Sequence, residues 1–349
     1  MKHRIIPGDQ MHKKTRYILA CLLSLMLLIL ILDSKTALIG AEIGIKICLK
    51  TLIPSLFPFL VLSSACCELL FDLRSKVLSR LLLPCKLPDG AQAIFLLGAL
   101  GGYPVGARLV SDAYSRKVLS KTEAQHMLMF CSNAGPAFIF GVVGQMFSDQ
   151  WISWAIWLVH IASAYIVGAL TAREASNSRI ELQAKGFQFS RTIETMGLIC
   201  GWVILFKILL TFLDKWILNT RPALLRIVIT GALELSNGCL LLPQLDNAGL
   251  RFLVSLALIS LGGSCIIMQT ASLIGNLPLK KYLYGKLLQT MISLLIAFPL
   301  QALLLFDPFQ NWVPPFLFTV LLTVILLNKQ FFKKTVAFPK KMIYNTEKA

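Results

Sequence analysis

Ten apolar runs divide the chain, at residues 17–32, 43–71, 91–107, 122–147, 151–172, 194–213, 223–243, 250–276, 285–306 and 312–328. Most are near the ~20 residues that an α-helix needs to cross the hydrocarbon core. In lipid every backbone N–H and C=O must be satisfied internally, so such runs fold as helices. Composition agrees: 56% of residues are apolar and 15% charged, against roughly 45–50% and about 25% in soluble domains. A soluble globular enzyme is ruled out, and an all-α polytopic membrane protein is expected.

The net charge of +17 comes from 34 Lys and Arg against 17 Asp and Glu. The basic residues sit in short pieces between apolar runs, which is the pattern of cytoplasmic loops rather than of a nucleic-acid-binding face. The bilayer is the expected partner, and nucleic acid is not. The nine cysteines contain no C-x-x-C pair and lie mostly inside apolar runs, so they frame neither disulfides nor zinc. Lys2, Arg4, Lys13, Lys14 and Arg16 precede run 17–32 without a small-x-small cleavage site. This reads as a retained first helix with a cytoplasmic N-terminus.

Charge then sets the direction of the runs. Residues 72–90 carry Arg74, Lys76, Arg80 and Lys86, and the piece after run 91–107 carries Arg108, Arg116, Lys117 and Lys121. Both belong in the cytoplasm, so run 91–107, with Gly98, Gly101, Gly102, Pro104 and Gly106, is predicted to re-enter rather than cross. The turn 147–151 has Asp149 and no basic residue, whereas 173–193 has Arg173, Arg179, Lys185 and Arg191, and 277–286 has Lys280, Lys281 and Lys286. The turn is outside and the two basic pieces inside. Three runs between two inside pieces require one more re-entrant segment, and 223–243, holding Glu234-Leu235-Ser236-Asn237-Gly238, is the natural one. The stretch with Lys215, Arg221 and Arg226 falls outside and runs against the charge rule.

The expectation is therefore about eight transmembrane helices plus two re-entrant hairpins in inverted repeats, with both termini cytoplasmic. Residues 1–42 form the N-terminus and first helix, and 43–172 the first repeat with a linking helix. The second repeat is 173–276, and 277–349 is a helix pair with a basic tail. Inverted repeats with broken helices around a midplane site mark secondary transporters.

The interruptions supply the candidate substrate-binding residues. In Gly101-Gly102-Tyr103-Pro104, glycine permits close approach and proline forbids a continuous helix. Freed half-helix ends can present N–H groups to an anion; a plain turn or tight helix crossing explains the same residues. Ser132, Asn133 and Gly135 interrupt run 122–147, where an amide either faces a polar cavity or bonds a neighbouring helix. In the second half the corresponding residues are Glu234, Ser236 and Asn237, then Gln269. Glu234 reads as a proton or cation site, or as the partner of Lys207. Lys207 lies inside run 194–213 and would neutralise Glu234, bind an anion, or snorkel to an interface. The four histidines, His3, His12, His126 and His160, fall in no metalloprotease motif. No phosphate loop and no nucleophile elbow is present. Neither an enzyme nor a cofactor or metal site is expected.

Four motifs taken together, Pro-Ser-Leu-Phe-Pro-Phe at 54–59, Gly-Gly-Tyr-Pro-Val-Gly-Ala at 101–107, Asn-Ala-Gly-Pro-Ala-Phe-Ile at 133–139 and Glu-Leu-Ser-Asn-Gly at 234–238, carry a resemblance. The chain resembles the sporulation integral membrane protein YlbJ family, also called SpoVV, over about residues 40–275. That family is similar to nucleoside-recognition or gate-domain proteins. The resemblance implies a role in endospore formation, moving dipicolinic acid from mother cell to forespore across the outer forespore membrane. Dipicolinate is a small aromatic dianion, which suits half-helix N-termini and Lys207. Two alternatives stay open: a nucleoside or other small-metabolite transporter of the same architecture, and a non-transporting scaffold for spore-envelope proteins. A homo-oligomer is also left open.

Overall fold

The computed structural model describes residues 13–70, 76–88, 90–149, 151–172 and 189–305. Run 312–328, the basic tail and most of the 173–193 piece lie outside the described residues. Among the described residues all regular structure is helical. Five helices are long and apolar enough to cross a membrane: Ser34–Leu62, Trp151–Leu170, Thr192–Leu218, Ala248–Leu273 and Leu279–Gln301. Shorter apolar helices accompany them at Leu23–Leu32, Gln92–Gly101, Pro136–Met146 and Ala223–Leu233.

The first helix, α1 (Lys13–Leu32), leaves Leu25, Leu27, Leu28 and Ile31 exposed, as a lipid-facing surface does. It stops at Asp33, whose carboxylate accepts from the backbone N–H of Thr36 at 3.3 Å and opens α2 (Ser34–Ile47). The second helix thus begins at Ser34 and not at residue 43. Lys35 and Glu42 dilute the apolar signal there, but the N-cap, not hydropathy, fixes where the helix starts. A π-helical turn at Cys48–Leu52 joins α2 to α3 (Ile53–Leu70), which carries Pro58 inside it.

After the short α4 (Lys76–Leu81) come α5 (Gln92–Gly101) and α6 (Val105–Ser115). These two fold back on each other: a Cβ on Gly98 would stand 3.0 Å from the Cα of Gly106. The hairpin runs to Ser115, beyond the predicted end at 107. A capping box between Ser120 and Glu123 then starts α7 (Lys121–Leu128). The α-helix ends there, residues 131–135 have no helical conformation, and α8 (Pro136–Phe138) restarts the helix through a π turn at Ile139–Val143. The long α9 (Trp151–Leu170) follows.

The second half repeats this order of parts. α10 (Phe189–Leu213) is the long helix, extended by a π turn to Leu218. Next, α11 (Ala223–Leu233) and α12 (Leu235–Leu240) form another hairpin, in which a Cβ on Gly238 would meet the Cα of Gly231 at 2.2 Å. Finally α13 (Ala248–Leu261) and α14 (Gly263–Leu273) form an interrupted helix, and α15 (Leu279–Leu305) is long.

Two contacts tie the halves together. α2 packs antiparallel on α10, because Gly40 and Gly44, four residues apart, let the backbones meet. A Cβ on Gly40 would come within 2.8 Å of Ile208 Cα, and one on Gly44 within 3.0 Å of Ile204 Cα. At the end of this pair Lys215 Nζ meets Asp33 at 2.5 Å. Elsewhere α15 packs between α9 and α13, burying Ile156, Phe252 and Ala297 in one cluster.

Candidate binding cleft

The two hairpin tips and the interruptions at 131–135 and 262–263 lie near one another, and the glycines are the reason. The unwound stretch 131–135 rests on the first hairpin so closely that a Cβ on Gly98 would stand 2.0 Å from Cys131 O, and one on Gly106 1.8 Å from it. At the hairpin tip, Gly102 takes a φ of +78° that L side chains rarely adopt. A Cβ on Gly135 would touch Gly102 Cα at 2.8 Å. The second half is built alike. Gly262 and Gly263 both have positive φ, a Cβ on Gly263 would lie 2.7 Å from Gly231 O, and Ser264 Oγ donates to Ala232 O at 3.1 Å.

Glu234 is the apex of the second hairpin and the N-cap of α12. Its carboxylate accepts from Ser236 N at 3.1 Å, Asn237 N at 2.7 Å and Asn237 Nδ2 at 2.5 Å, and the residue is 2% exposed. The positive end of the helix and three donors hold the charge there. A carboxylate offers about four acceptor positions, so about one is left for a ligand. Among the described residues Lys207 makes no ion pair with it, although the two interact electrostatically.

The two halves join at Tyr103, in the first hairpin's tip. Its hydroxyl donates to the carbonyl of Ile259 at 3.0 Å, in the last turn of α13 where the break leaves carbonyls without helical partners. The same oxygen accepts from Lys286 Nζ at 3.1 Å. Lys286 also donates to Ser132 O and to Gln289 Oε1, the latter at 2.6 Å. Gln289 Nε2 donates to Asn133 Oδ1 at 2.9 Å and to His160 O at 3.1 Å, while Asn133 Nδ2 reaches Phe130 O at 2.7 Å. His160 Nε2 accepts from Ala134 N at 3.0 Å, which leaves its Nδ1 facing Ser260 Oγ at 3.1 Å.

In front of this network lies an open cleft, about 600 Å³ with the solvent space at its mouth included. One wall is apolar: Leu52, Leu56 and Leu60, with Ile199 and Val203 of α10 and Phe138 and Ile266. The other is made of the breaks, with Gly101, Gly102, Tyr103, Gly135, Glu234, Ser236 and Gln269 among its residues. Seven of the predicted site residues therefore share one surface. Ser132 and Asn133 are fully buried behind it, Pro104 heads α6, and Asn237 is tied to Glu234. Lys207 is outside the lining. It sits half-buried on α10 one turn beyond Val203, on the face that Ile199 and Val203 present to the cleft.

The position of Lys286 corrects the sequence reading. The loop expected over 277–286 is shorter, α15 starts at Leu279, and Lys286 is 1% exposed. Lys207 is thus not alone as a basic residue inside an apolar helix. The signal that could have revealed this is a polar face at helical spacing: Tyr282, Lys286, Gln289, Ser293 and Gln301 are all buried on α15.

The comparisons with known proteins bear on this arrangement. The chain is similar to the sporulation integral membrane protein YlbJ of Bacillus subtilis (strain 168). Identity is 27% over 137 residues, which is 38% of this chain and 32% of that protein. The match spans about a third of the relative's length. No family model matches the chain, and no solved structure does. With five helices of spanning length, lipid-like exposed faces and this relative, the chain is an integral membrane protein.

Proposed function

We propose that this protein is a secondary carrier of a small solute in the membrane of a spore former, with dipicolinate as the solute. The observation that carries the reading is the convergence of two hairpin tips and the unwound stretch 131–135 on one cleft, with the Gly262-Gly263 interruption seated on the second hairpin. Non-helical backbone at membrane depth is tolerated only inside protein or against a water-filled cavity, and carriers use it to bind. In this reading the two hairpins re-enter from opposite sides, the halves are inverted repeats, and about eight helices cross. The protein would carry out no covalent chemistry. The sporulation setting is supported by the relative's name, and dipicolinate by the resemblance of the motifs.

A second reading has its own support. The cleft lining holds a carboxylate, a tyrosine, a serine and a carboxamide but no lysine or arginine, which suits a neutral polar solute such as a nucleoside. For a dianion the candidate cations are Lys207, one turn beyond Val203 on α10, and Lys286 behind Tyr103. The experiment is a melting-point series of the purified protein in detergent with dipicolinate and with uridine. Stabilisation by dipicolinate alone, weakened about tenfold in concentration dependence by Lys207→Met and lost in Asn133→Ala or Glu234→Gln, supports the anion carrier. Stabilisation by uridine alone, unaffected by Lys207→Met, moves the assignment to a nucleoside. No shift with either counts against both and favours a scaffold.

A further inference from the structure

Lys286 is surrounded as a dehydrated metal cation would be. Its ammonium bonds the hydroxyl of Tyr103, the carbonyl of Ser132 and the amide oxygen of Gln289. The rings of Tyr103 and Tyr282 flank it, with centroids 5.0 and 5.8 Å away, and aromatic faces attract cations. No ion pair to it occurs among the described residues. A buried charge without a counter-charge is costly unless dipoles replace its water shell, and three oxygens plus two ring faces do so here. Rings of carbonyl and hydroxyl oxygens are also how proteins strip and hold alkali cations. Beside this cage the buried Tyr282 hydroxyl interacts with the hydroxyls of Thr270 and Ser132. Three further oxygens are thus packed around the position.

We infer that the Lys286 ammonium is a tethered cation filling an oxygen-lined monovalent-cation site where the first hairpin meets the unwound stretch 131–135, so that this protein needs no free ion there. Its charge adds a polar tie between three parts, two of which already meet through their glycines. Tyr103 belongs to the hairpin tip, Ser132 to the unwound stretch, and Gln289 to α15, which also contributes the lysine. The inference stands on this geometry and does not depend on which solute is carried, so its test uses no solute.

The full chain is melted in detergent in chloride salts of choline, sodium, potassium and ethylammonium at equal ionic strength. The wild type is expected to melt at one temperature in all four. Lys286→Ala, which empties the cage, is expected to lose about 5–10 °C in choline and to recover at least half with ethylammonium or an alkali ion. Lys286→Met fills the volume without charge and is expected to lose stability that no salt restores. Two results overturn the inference: a wild type stabilised by sodium over choline, or Lys286→Met melting as high as the wild type. If Lys286→Ala is recovered from membranes only when ethylammonium is present during extraction, that recovery is the rescue. If it is lost under every salt while Lys286→Met is stable, the charge is unnecessary and the inference fails.

Discussion

Tyr103 uses its hydroxyl in two directions, accepting from Lys286 and donating to Ile259 O. Tyr103→Phe keeps the ring and its contact with the ammonium but removes one oxygen from a buried cation and leaves the Ile259 carbonyl bare. A loss of about 1–3 kcal/mol is expected, read as a lower melting temperature in detergent, and an unchanged temperature would mean that water takes over both bonds. Glu234→Gln keeps one acceptor oxygen for α12 and gives up the charge that three donors surround. The expected cost is about 1–2 kcal/mol, so solute-induced shifts of this variant are measured from its own baseline. At this scale the sequence was readable for one kind of residue and opaque for another. Tyr103 and Glu234 stand out because glycine, proline or a carboxylate interrupts an apolar run. Lys286 does not, because Lys280 and Lys281 nearby make it look like part of a loop, and its partners Tyr103 and Ser132 are 183 and 154 residues away.

Elements meet here through glycine, and their closeness can be tested by adding one carbon. Gly106→Ala places a methyl 1.8 Å from Cys131 O, where only backbone could yield. A cost of about 1–3 kcal/mol or more is expected, together with loss of solute-induced stabilisation as the hairpin lifts off the unwound stretch. Gly201→Ala on α10 is the control, since nothing lies within 4 Å of its added Cβ. That variant should match the wild type or melt slightly higher, because alanine favours helix. Equal behaviour of the two variants would show that the hairpin seat is loose. Both hairpin tips and the first interruption were legible as elements, since Pro104, Glu234 and Gly135-Pro136 break helices for local reasons. Their extents were not: α2 begins early because Asp33 caps it, and α6 outlasts the apolar run because its polar face holds Arg108 against Thr195.

For the whole molecule the expected topology puts the 147–151 turn outside and the C-terminus inside. Alkaline phosphatase inserted at that turn should be active and the same enzyme fused after Ala349 inactive, and the opposite pattern would invert the assignment. One of the contacts that pair the halves is α2 against α10. Gly40→Leu pushes against Ile208 Cα, already 2.8 Å from a Cβ at that position, and should lower the yield of folded protein in the monodisperse peak of size-exclusion chromatography several-fold. Charge counting in the sequence singled out 91–107 and 223–243, and each contains a break between two helices. It could not anticipate that both hairpin tips and the unwound stretch share one cleft, because that depends on long-range packing of glycines that carry no charge. The seat of Gly98 and Gly106 on Cys131 O also bears on motion. With no space for a methyl group between them, the first hairpin and the unwound stretch travel as one rigid piece. On the proposed carrier reading, opening would then fall along the apolar contact of Leu52 and Leu56 with Ile199 and Val203, where side chains slide without breaking a hydrogen bond, and not among the polar groups of the hairpin tips.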